Sequence, residues 1–225
     1  MRLASKGWSL IELMLGMLLA SITAIALGSC ALALLQHHQQ QQRLNQLTDD
    51  LLLAEGLIGR ELRRSGYWGA QAALWQQPQH NPFLALSVSA DGHCLFYHYD
   101  LNDDGLLQGG VGPSPWHVAA SESAPTERFG IRLRAGALQL RKDGAACNSA
   151  TGWETLTSSN SQITPVDDEP PFALLWPQAL HPGWQLRSAV VVVNLQLSHS
   201  QQPQLQRPLQ LEIVPRNGGG WHYAP

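Results

Sequence analysis

An apolar stretch near the N-terminus constrains the fold of this chain more than any other feature. Residues 13–35 carry no formal charge, and Glu12 is the single charge within residues 8–35. At about 1.5 Å per residue, a helix needs roughly 20 apolar residues to cross the hydrocarbon layer of a membrane. Residues 8–35 therefore predict a membrane-spanning helix, which follows a short basic leader containing Arg2 and Lys6.

Glu12 is unusual in such a helix, because a carboxylate at the centre of a bilayer costs about 2.5 kcal/mol or more and needs a partner. It ends the sequence Gly7-Trp8-Ser9-Leu10-Ile11-Glu12, which resembles the type IV prepilin signature. That signature has Gly, an apolar residue that is usually Phe, Ser or Thr, two aliphatic residues and Glu. The resemblance implies that a prepilin peptidase cleaves after Gly7 and methylates the new amino group of Trp8, with which Glu12 pairs during assembly.

Two other interpretations of the N-terminus compete with this one. A secretory signal peptide would also have a basic start, and Ala31-Leu32-Ala33 resembles its cleavage site. A lipoprotein signal is suggested by Leu27-Gly28-Ser29-Cys30, whose cysteine would be acylated. The length of the apolar run exceeds the usual 7 to 15 residues of a signal peptide, and Glu12 argues against both. Under the prepilin interpretation, Cys30 is a small apolar residue within the helix.

Charge and cysteine content narrow the possible functions and covalent structure of the exported part of the chain. Without Arg2 and Lys6, 12 Lys or Arg face 17 Asp or Glu, and no basic patch with interleaved aromatic residues indicates nucleic-acid binding. Of the three cysteines, only Cys94 and Cys147 lie outside the apolar run. Because an exported domain meets an oxidising compartment, we predict a Cys94–Cys147 disulfide; the alternative is two unpaired thiols.

The helix is predicted to continue beyond the membrane segment. The polar tract 37–43 contains no Gly or Pro, and Gln is a good helix former. Apolar residues then recur at helical spacing, with Leu53 and Leu57 widening the stripe, and Ser65-Gly66 ends the helix after Arg64. The residues of the stripe are Leu44, Leu47, Leu51, Ala54 and Ile58.

Strand signals follow the helix, separated by Gly, Pro, Asn and Asp, and they predict an antiparallel sheet. The segments are 93–99, 129–134, 138–142, 189–197 and 209–214. Alternation of apolar and polar residues on both sides of Ala135-Gly136 predicts a hairpin. Its arginine-bearing face is expected to be solvated, and a docking role for those arginines is the alternative.

Further residues carry a second resemblance. Residues 62–67, with Arg63-Arg64 followed by Gly66-Tyr67, and the order Cys94, Asp/Asn turn, Gly-Ile-Arg-Leu strand, Cys147 and Gly152-Trp153 are similar to the PilW-type minor pilins and the prepilin-peptidase-dependent protein B family. The resemblance covers residues 7 to about 165. It implies an α+β, pilin-like fold in which a long N-terminal helix packs on an antiparallel β-sheet domain.

The domain organisation implied by both resemblances has four parts. Residues 1–7 form a leader peptide, 8–35 a transmembrane and polymerisation helix, 36–65 its amphipathic continuation, and 66–225 a β-rich globular domain in the periplasm or outside the cell.

A metal site is suggested at one loop only. Asp100, Asn102 and Asp104 place oxygen ligands at positions 1, 3 and 5 of a calcium-loop pattern, with Gly105 at position 6. Position 12 would be Val111 instead of Glu, which excludes an EF-hand. A less regular calcium site could recruit one acidic residue from elsewhere, and an Asx-type turn is the alternative. The candidates for that residue are Glu122, Glu127 and Asp168.

No enzymatic motif is present. The sequence has no Gly-x-Ser-x-Gly, no phosphate-binding glycine loop and no Cys-x-x-Cys, so no catalytic residues are predicted and no cofactor other than calcium is expected.

The resemblance implies a minor pilin that primes type IV pilus assembly with other minor and major pilins, prepilin peptidase and the inner-membrane assembly platform. It would span the inner membrane once, with a periplasmic domain, before reaching the pilus at the cell surface. The alternatives are a J-type minor pseudopilin of type II secretion and an anchored lipoprotein or binding protein.

Overall fold

A computed structural model describes most of the chain. The described residues are 9–69, 81–108, 117–118, 126–142, 144–167, 169–176, 184–186, 189–217 and 221–223. By their internal contacts, the residues divide into two units, Met1–Gln46 and Leu47–Pro225. The four-part domain organisation anticipated from the sequence stays a prediction.

Helix α1 extends over Leu10–Arg64, a total of 55 residues. It continues through the glutamine tract, as predicted, because this tract offers good helix formers and no proline. The helix ends where the sequence indicated. Gly66 has a φ of 78°, a left-handed conformation that glycine adopts without a steric penalty, and its N–H donates to the carbonyl of His98 at 2.8 Å.

The part of α1 in the second unit buries one face against the sheets. Leu47, Ala54, Ile58 and Leu62 are at most 2% exposed, at spacings of seven, four and four residues, which put side chains on one face of a helix. Leu53 does not widen this stripe as predicted, because its side chain is 51% exposed. The predicted stripe was therefore too broad on that side.

Among the described residues, thirteen strands follow α1, and the 3-10 turn Pro82–Leu84 precedes them. Four of the five predicted strands lie within two residues of their predicted bounds, and the last begins seven residues earlier than predicted. The five-residue strand Ser161–Pro165 was not predicted. The strands are β1 Ser87–Val88, β2 Cys94–His98, β3 Leu107–Gln108, β4 His117–Val118, β5 Arg128–Arg134, β6 Ala137–Arg141, β7 Trp153–Thr155, β8 Ser161–Pro165, β9 Phe172–Leu175, β10 Trp184–Leu186, β11 Val190–His199, β12 Gln202–Ile213 and β13 Trp221–Tyr223.

Two main antiparallel sheets confirm the predicted α+β architecture. The first has the order β1-β2-β5-β6-β7. The second has the order β12-β11-β8, and β9 also pairs with β11. The described residues also form two small pairs: β3 and β4 are parallel, whereas β10 and β13 are antiparallel.

The hairpin of β5 and β6 turns at Ala135-Gly136, where the sequence placed it. Arg134 pairs with Ala137, so the loop has two residues. Both have positive φ, 51° for Ala135 and 75° for Gly136, which is the backbone of the tight hairpin turns that match the twist of a β-ribbon.

Strand β12 is an end strand of the second sheet in the order that the described strands define. It is twelve residues long, and it contains Pro203 and Pro208, both of which are exposed. The neighbouring β11 alternates between buried and half-buried residues along its whole length, as expected for a strand inside a sheet.

One hydrophobic core joins α1 to both sheets. Its largest fully buried side chains include Tyr97 of β2, Phe172 of β9 and Leu195 of β11. A smaller cluster of Trp68, Phe83 and Leu107 lies separately.

Candidate functional site

The N-terminal segment is described from Ser9 onwards, so the predicted cleavage residues Gly7 and Trp8 lie outside the described residues. Glu12 lies in the first turn of α1, and its N–H donates to the carbonyl of Ser9 at 3.0 Å. Cys30 is an exposed thiol on the same helix. By length and composition this helix can cross a membrane, which is compatible with a single-pass anchor.

The predicted disulfide is confirmed. Cys94 of β2 is bonded to Cys147, with their Cα atoms 6.0 Å apart and a sequence separation of 53. Cys147 lies in the segment that connects β6 to β7, which we call the disulfide loop and define as residues 142–152. The bond fixes this loop to the face of the first sheet that points away from the core.

Arg132 of β5 lies under the disulfide loop and is only 3% exposed. Its Nη1 donates to the carbonyls of Cys147 at 2.7 Å and Ser149 at 2.8 Å, and its Nε donates to the Gln139 side chain at 2.6 Å. The guanidinium stacks over Trp153, 4.3 Å from the ring centroid. Burial lowers the pKa of Arg132, and the nearby charge of Arg134 lowers it further.

The other hairpin arginines bind the same loop. Arg141 donates to the carbonyls of Gly144 and Ala145, each at 2.6 Å, and Arg134 donates to those of Asn148 and Ser149. With the indole of β7, these side chains engage all six consecutive carbonyls of residues 144–149. The prediction of a solvated basic face is therefore wrong at Arg132, which the disulfide loop covers, whereas Arg134 on the same face is exposed.

The candidate calcium loop, which we call the metal loop and which contains Asp100, Asn102 and Asp104, lies between β2 and β3. Oxygen atoms of Asp100, Asp104 and Glu127 lie within 4.8 Å of one another; we call these three residues the acidic cluster. Glu127 is fully buried, and its two oxygens accept from the N–H groups of Leu101 at 2.7 Å and Gln108 at 3.0 Å. The candidate loop thus meets one of the three distant acidic residues considered from the sequence.

The loop is closed by local hydrogen bonds. The N–H of Gly105 donates to Asp100 Oδ2 at 2.8 Å, and that of Leu106 donates to Asp104 Oδ1 at 2.7 Å. The Asn102 amide is directed at Asp104, since its Nδ2 donates to Asp104 Oδ2 at 2.8 Å and its Oδ1 accepts from the Asp104 N–H. Asn102 therefore orients Asp104 through two hydrogen bonds. The other two acidic candidates, Glu122 and Asp168, lie outside the described residues.

Burial dominates the electrostatics of the acidic cluster. It raises the pKa of Asp100, against the hydrogen bond from the Gly105 N–H and together with the charge of Asp104. Burial also raises the pKa of Glu127, against the N–H groups of Gln108 and Leu101. In both cases the low-dielectric surroundings disfavour the charged carboxylate, which proton or cation binding would relieve.

Two aromatic residues that follow α1 anchor the metal-loop segment. The hydroxyl of Tyr67 donates to Asp103 Oδ1 at 2.9 Å, and Trp68 Nε1 donates to the carbonyl of Gly105 at 2.9 Å. The hydrogen bond to Asp103 raises the pKa of Tyr67. The Gly66-Tyr67 sequence is thus placed beside the acidic cluster.

Sequence reasoning missed two features of these sites. Glu127 was one of three candidates because no local spacing links it to Asp100, 27 positions earlier; only strand pairing brings β2 and β5 together. The burial of Arg132 was signalled only indirectly, by the predicted disulfide. Arg132 pairs in register with Cys94, so the loop that carries the partner cysteine must cross the same face of the sheet.

Residues 37–214 match the family model of prepilin peptidase-dependent protein B. Searches of curated proteins and of solved structures gave no significant match. The matched range includes the C-terminal part of α1, the disulfide, the acidic cluster and both main sheets, and it covers well over half of the chain. The chain therefore belongs to the prepilin peptidase-dependent protein B family.

Proposed function

We propose that this protein is a minor pilin that supports the assembly of type IV pili. The observation that carries the proposal is the combination of family membership with a helix that is apolar enough to span a membrane and has Glu12 in its first turn. Prepilin peptidase would cleave after Gly7, and the apolar helix would stay attached to the mature subunit.

Cleavage after Gly7 gives Glu12 a function. The new ammonium group on Trp8 is four residues before Glu12 in sequence, so Glu12 becomes the fifth residue of the mature chain. An unpaired carboxylate is costly in a membrane or in an apolar filament core, whereas a carboxylate that meets the ammonium of a neighbouring subunit offsets that cost. Glu12 would thus select a specific docking position.

The partners follow from this role. They are prepilin peptidase, the inner-membrane assembly platform, and other minor and major pilins. The subunit would first span the inner membrane with its β-rich domain in the periplasm and would then reach the pilus. The Cys94–Cys147 disulfide fits the oxidising periplasm. We further propose that the protein is a structural subunit and not an enzyme.

Intact-mass analysis of the protein from a piliated host, together with Glu12→Ala, tests this function. We expect a wild-type mature chain that begins at N-methylated Trp8. Glu12→Ala should also be cleaved before Trp8, because cleavage depends chiefly on Gly7. Glu12→Ala should lower incorporation into sheared pili. Glu55→Ala, which removes an exposed charge from the same helix, should incorporate normally.

Three results would contradict the proposal. A mature chain starting at acylated Cys30 would indicate a lipoprotein, and one starting near Gln36 would indicate a cleaved signal peptide. Normal piliation with Glu12→Ala would refute the docking role. Type II secretion is the second candidate, because its J-type pseudopilins share the leader, helix and sheet arrangement; a deletion that abolishes secretion and leaves pili intact would favour it.

A further inference from the structure

The acidic cluster concentrates negative charge in a small, buried volume. Asp100 is 2% exposed and Glu127 is fully buried, whereas Asp104 is half-buried. Among the described residues, the ion pairs join Arg60 to Glu61 and Lys142 to Glu154, so neither of them neutralises this cluster. Three carboxylates at this separation repel one another strongly in a low-dielectric site.

A second observation is independent of the clustering. Asp100 Oδ1 is buried and has no hydrogen-bond partner among the described residues. The carboxyl group points into the cluster, since one of its oxygens lies within 4.8 Å of oxygens of Asp104 and Glu127. A buried polar atom without a partner is costly and rare in native proteins, so this oxygen calls for a ligand.

We propose that the acidic cluster binds a calcium ion through Asp100, Asp104 and Glu127. Calcium takes six to eight oxygen ligands at about 2.3–2.6 Å, so two ligands of one ion lie no more than about 5 Å apart. The 4.8 Å limit on the oxygen separations meets this condition. Glu127, which precedes β5, supplies the carboxylate that position 12 of the local loop lacks.

The site would connect three parts of the second unit. Asp100 and Asp104 belong to the loop after β2, Glu127 leads into β5, and Trp68 is hydrogen-bonded to the same loop through the Gly105 carbonyl. An ion held by all three carboxylates would lock this loop against the start of β5 and against the segment that leaves α1. Calcium binding would therefore raise the stability of the folded domain by mass action. This inference is independent of the proposed role in pili.

Terbium luminescence gives a direct test, because Tb³⁺ replaces Ca²⁺ at oxygen sites and a nearby indole sensitises its emission. The full chain, purified in detergent and freed of metal by a chelator, would be titrated with Tb³⁺ and then with Ca²⁺. We expect saturable emission excited through tryptophan and displacement by Ca²⁺ at about 10⁻⁴–10⁻³ M, the range of extracellular calcium modules. Ca²⁺ should also raise the midpoint of thermal unfolding.

Two variants and a control identify the ligands. Glu127→Gln and Asp104→Asn should each weaken Ca²⁺ binding by about tenfold or more and should remove the thermal shift. Glu154→Gln removes an equal charge at an exposed position and should bind as the wild type does. If Glu127→Gln fails to fold, as judged by circular dichroism, Asp104→Asn decides, because Asp104 is only half-buried.

The proposal is overturned if Tb³⁺ emission does not saturate, or if Asp104→Asn binds Ca²⁺ as tightly as Glu154→Gln does. Equal competition by Mg²⁺ would overturn the assignment to calcium. Stabilisation by acid without any effect of Ca²⁺ would show that protons, and not a metal, neutralise the cluster.

Discussion

At the scale of single residues, the arginines of the β5–β6 hairpin hold the disulfide loop through its backbone carbonyls. A strand places alternate side chains on opposite faces, which correctly separates Arg132 from the core-facing Ile131 and Leu133. Arg132 is nevertheless buried, because the disulfide loop crosses its face and directs backbone carbonyls at it. Since a guanidinium offers five donors in a planar fork, it can satisfy several carbonyls at once.

We predict that Arg132→Lys destabilises the fold by about 2–3 kcal/mol, because an ammonium cannot reproduce the three directed hydrogen bonds of the buried guanidinium or its stacking on Trp153. Urea unfolding of the full chain in detergent, followed by tryptophan fluorescence, measures this change. The matched control is Arg134→Lys, at an exposed position on the same strand face, for which a change within about 0.5 kcal/mol is expected. Equal losses in the two variants would contradict this account.

How far single residues could be predicted depends on the distance over which their environment is set. The turn at Ala135-Gly136 and the end of α1 at Gly66 depend on neighbours in sequence and were predicted correctly. The disulfide could be predicted from two facts: only two cysteines lie outside the apolar run, and an exported domain meets an oxidising compartment. The burial of Arg132 and the position of Glu127 depend on which strands pair and which loops cross them, and periodicity along the chain does not carry that information.

At the scale of elements, the end of α1 is joined to Tyr99, the residue that follows β2, by a polar contact inside the core. Glu61 is 8% exposed and accepts from the Tyr99 hydroxyl at 3.0 Å. Arg64 stacks over the Tyr99 ring, 4.2 Å from its centroid, and Phe129 of β5 stacks on the same ring at 4.0 Å. This contact fixes both the rotation and the axial position of the helix, which an apolar stripe alone would leave less defined.

This contact predicts a loss of stability in alkali. Burial, followed by the negative charge of Glu61, raises the pKa of Tyr99 and of Tyr97 well above the ordinary value of 10.0. Above about pH 10 the unfolded chain releases tyrosine protons that the folded chain keeps. The free energy of unfolding should therefore fall with rising pH, by up to about 1.4 kcal/mol per pH unit for each such tyrosine, and it should be insensitive to these groups below pH 10.

Urea unfolding of the full chain between pH 8 and pH 11 tests this prediction. Tyr99→Phe should reduce the slope above pH 10, whatever its effect on stability at pH 8, where the lost hydrogen bond to Glu61 acts. The near-ultraviolet absorbance of tyrosinate should show that Tyr99 and Tyr97 ionise only when the protein unfolds. An unchanged slope in Tyr99→Phe would contradict the assignment.

At the scale of the whole molecule, the two units have surfaces suited to different solvents. In the first unit the large apolar side chains of α1 are exposed along the helix, most of them by more than half. In the second unit such side chains are mostly buried, and the large exposed ones described are a few, among them Leu52 and Trp176. A continuous apolar surface of that extent is stable only in lipid, in detergent or against other apolar helices.

Membrane insertion should consequently depend on the middle of the apolar segment. The wild-type chain should resist extraction of membranes by alkaline carbonate, and the double variant Ile22→Lys and Ile25→Lys should be extracted, because each lysine costs about 2.5–3.5 kcal/mol at the centre of a spanning helix. The double variant Gln39→Lys and Gln41→Lys adds the same charge outside the apolar run and should stay in the membrane fraction. Equal extraction of both variants would argue against a spanning helix.

The prolines of β12 have a consequence for how the second unit meets other chains. A long end strand invites a second strand to pair with it, and such pairing propagates from chain to chain. Pro203 and Pro208 have no N–H to donate, so an incoming strand finds an interrupted row of donors. Edge-to-edge pairing of this protein with another chain through β12 is thereby discouraged.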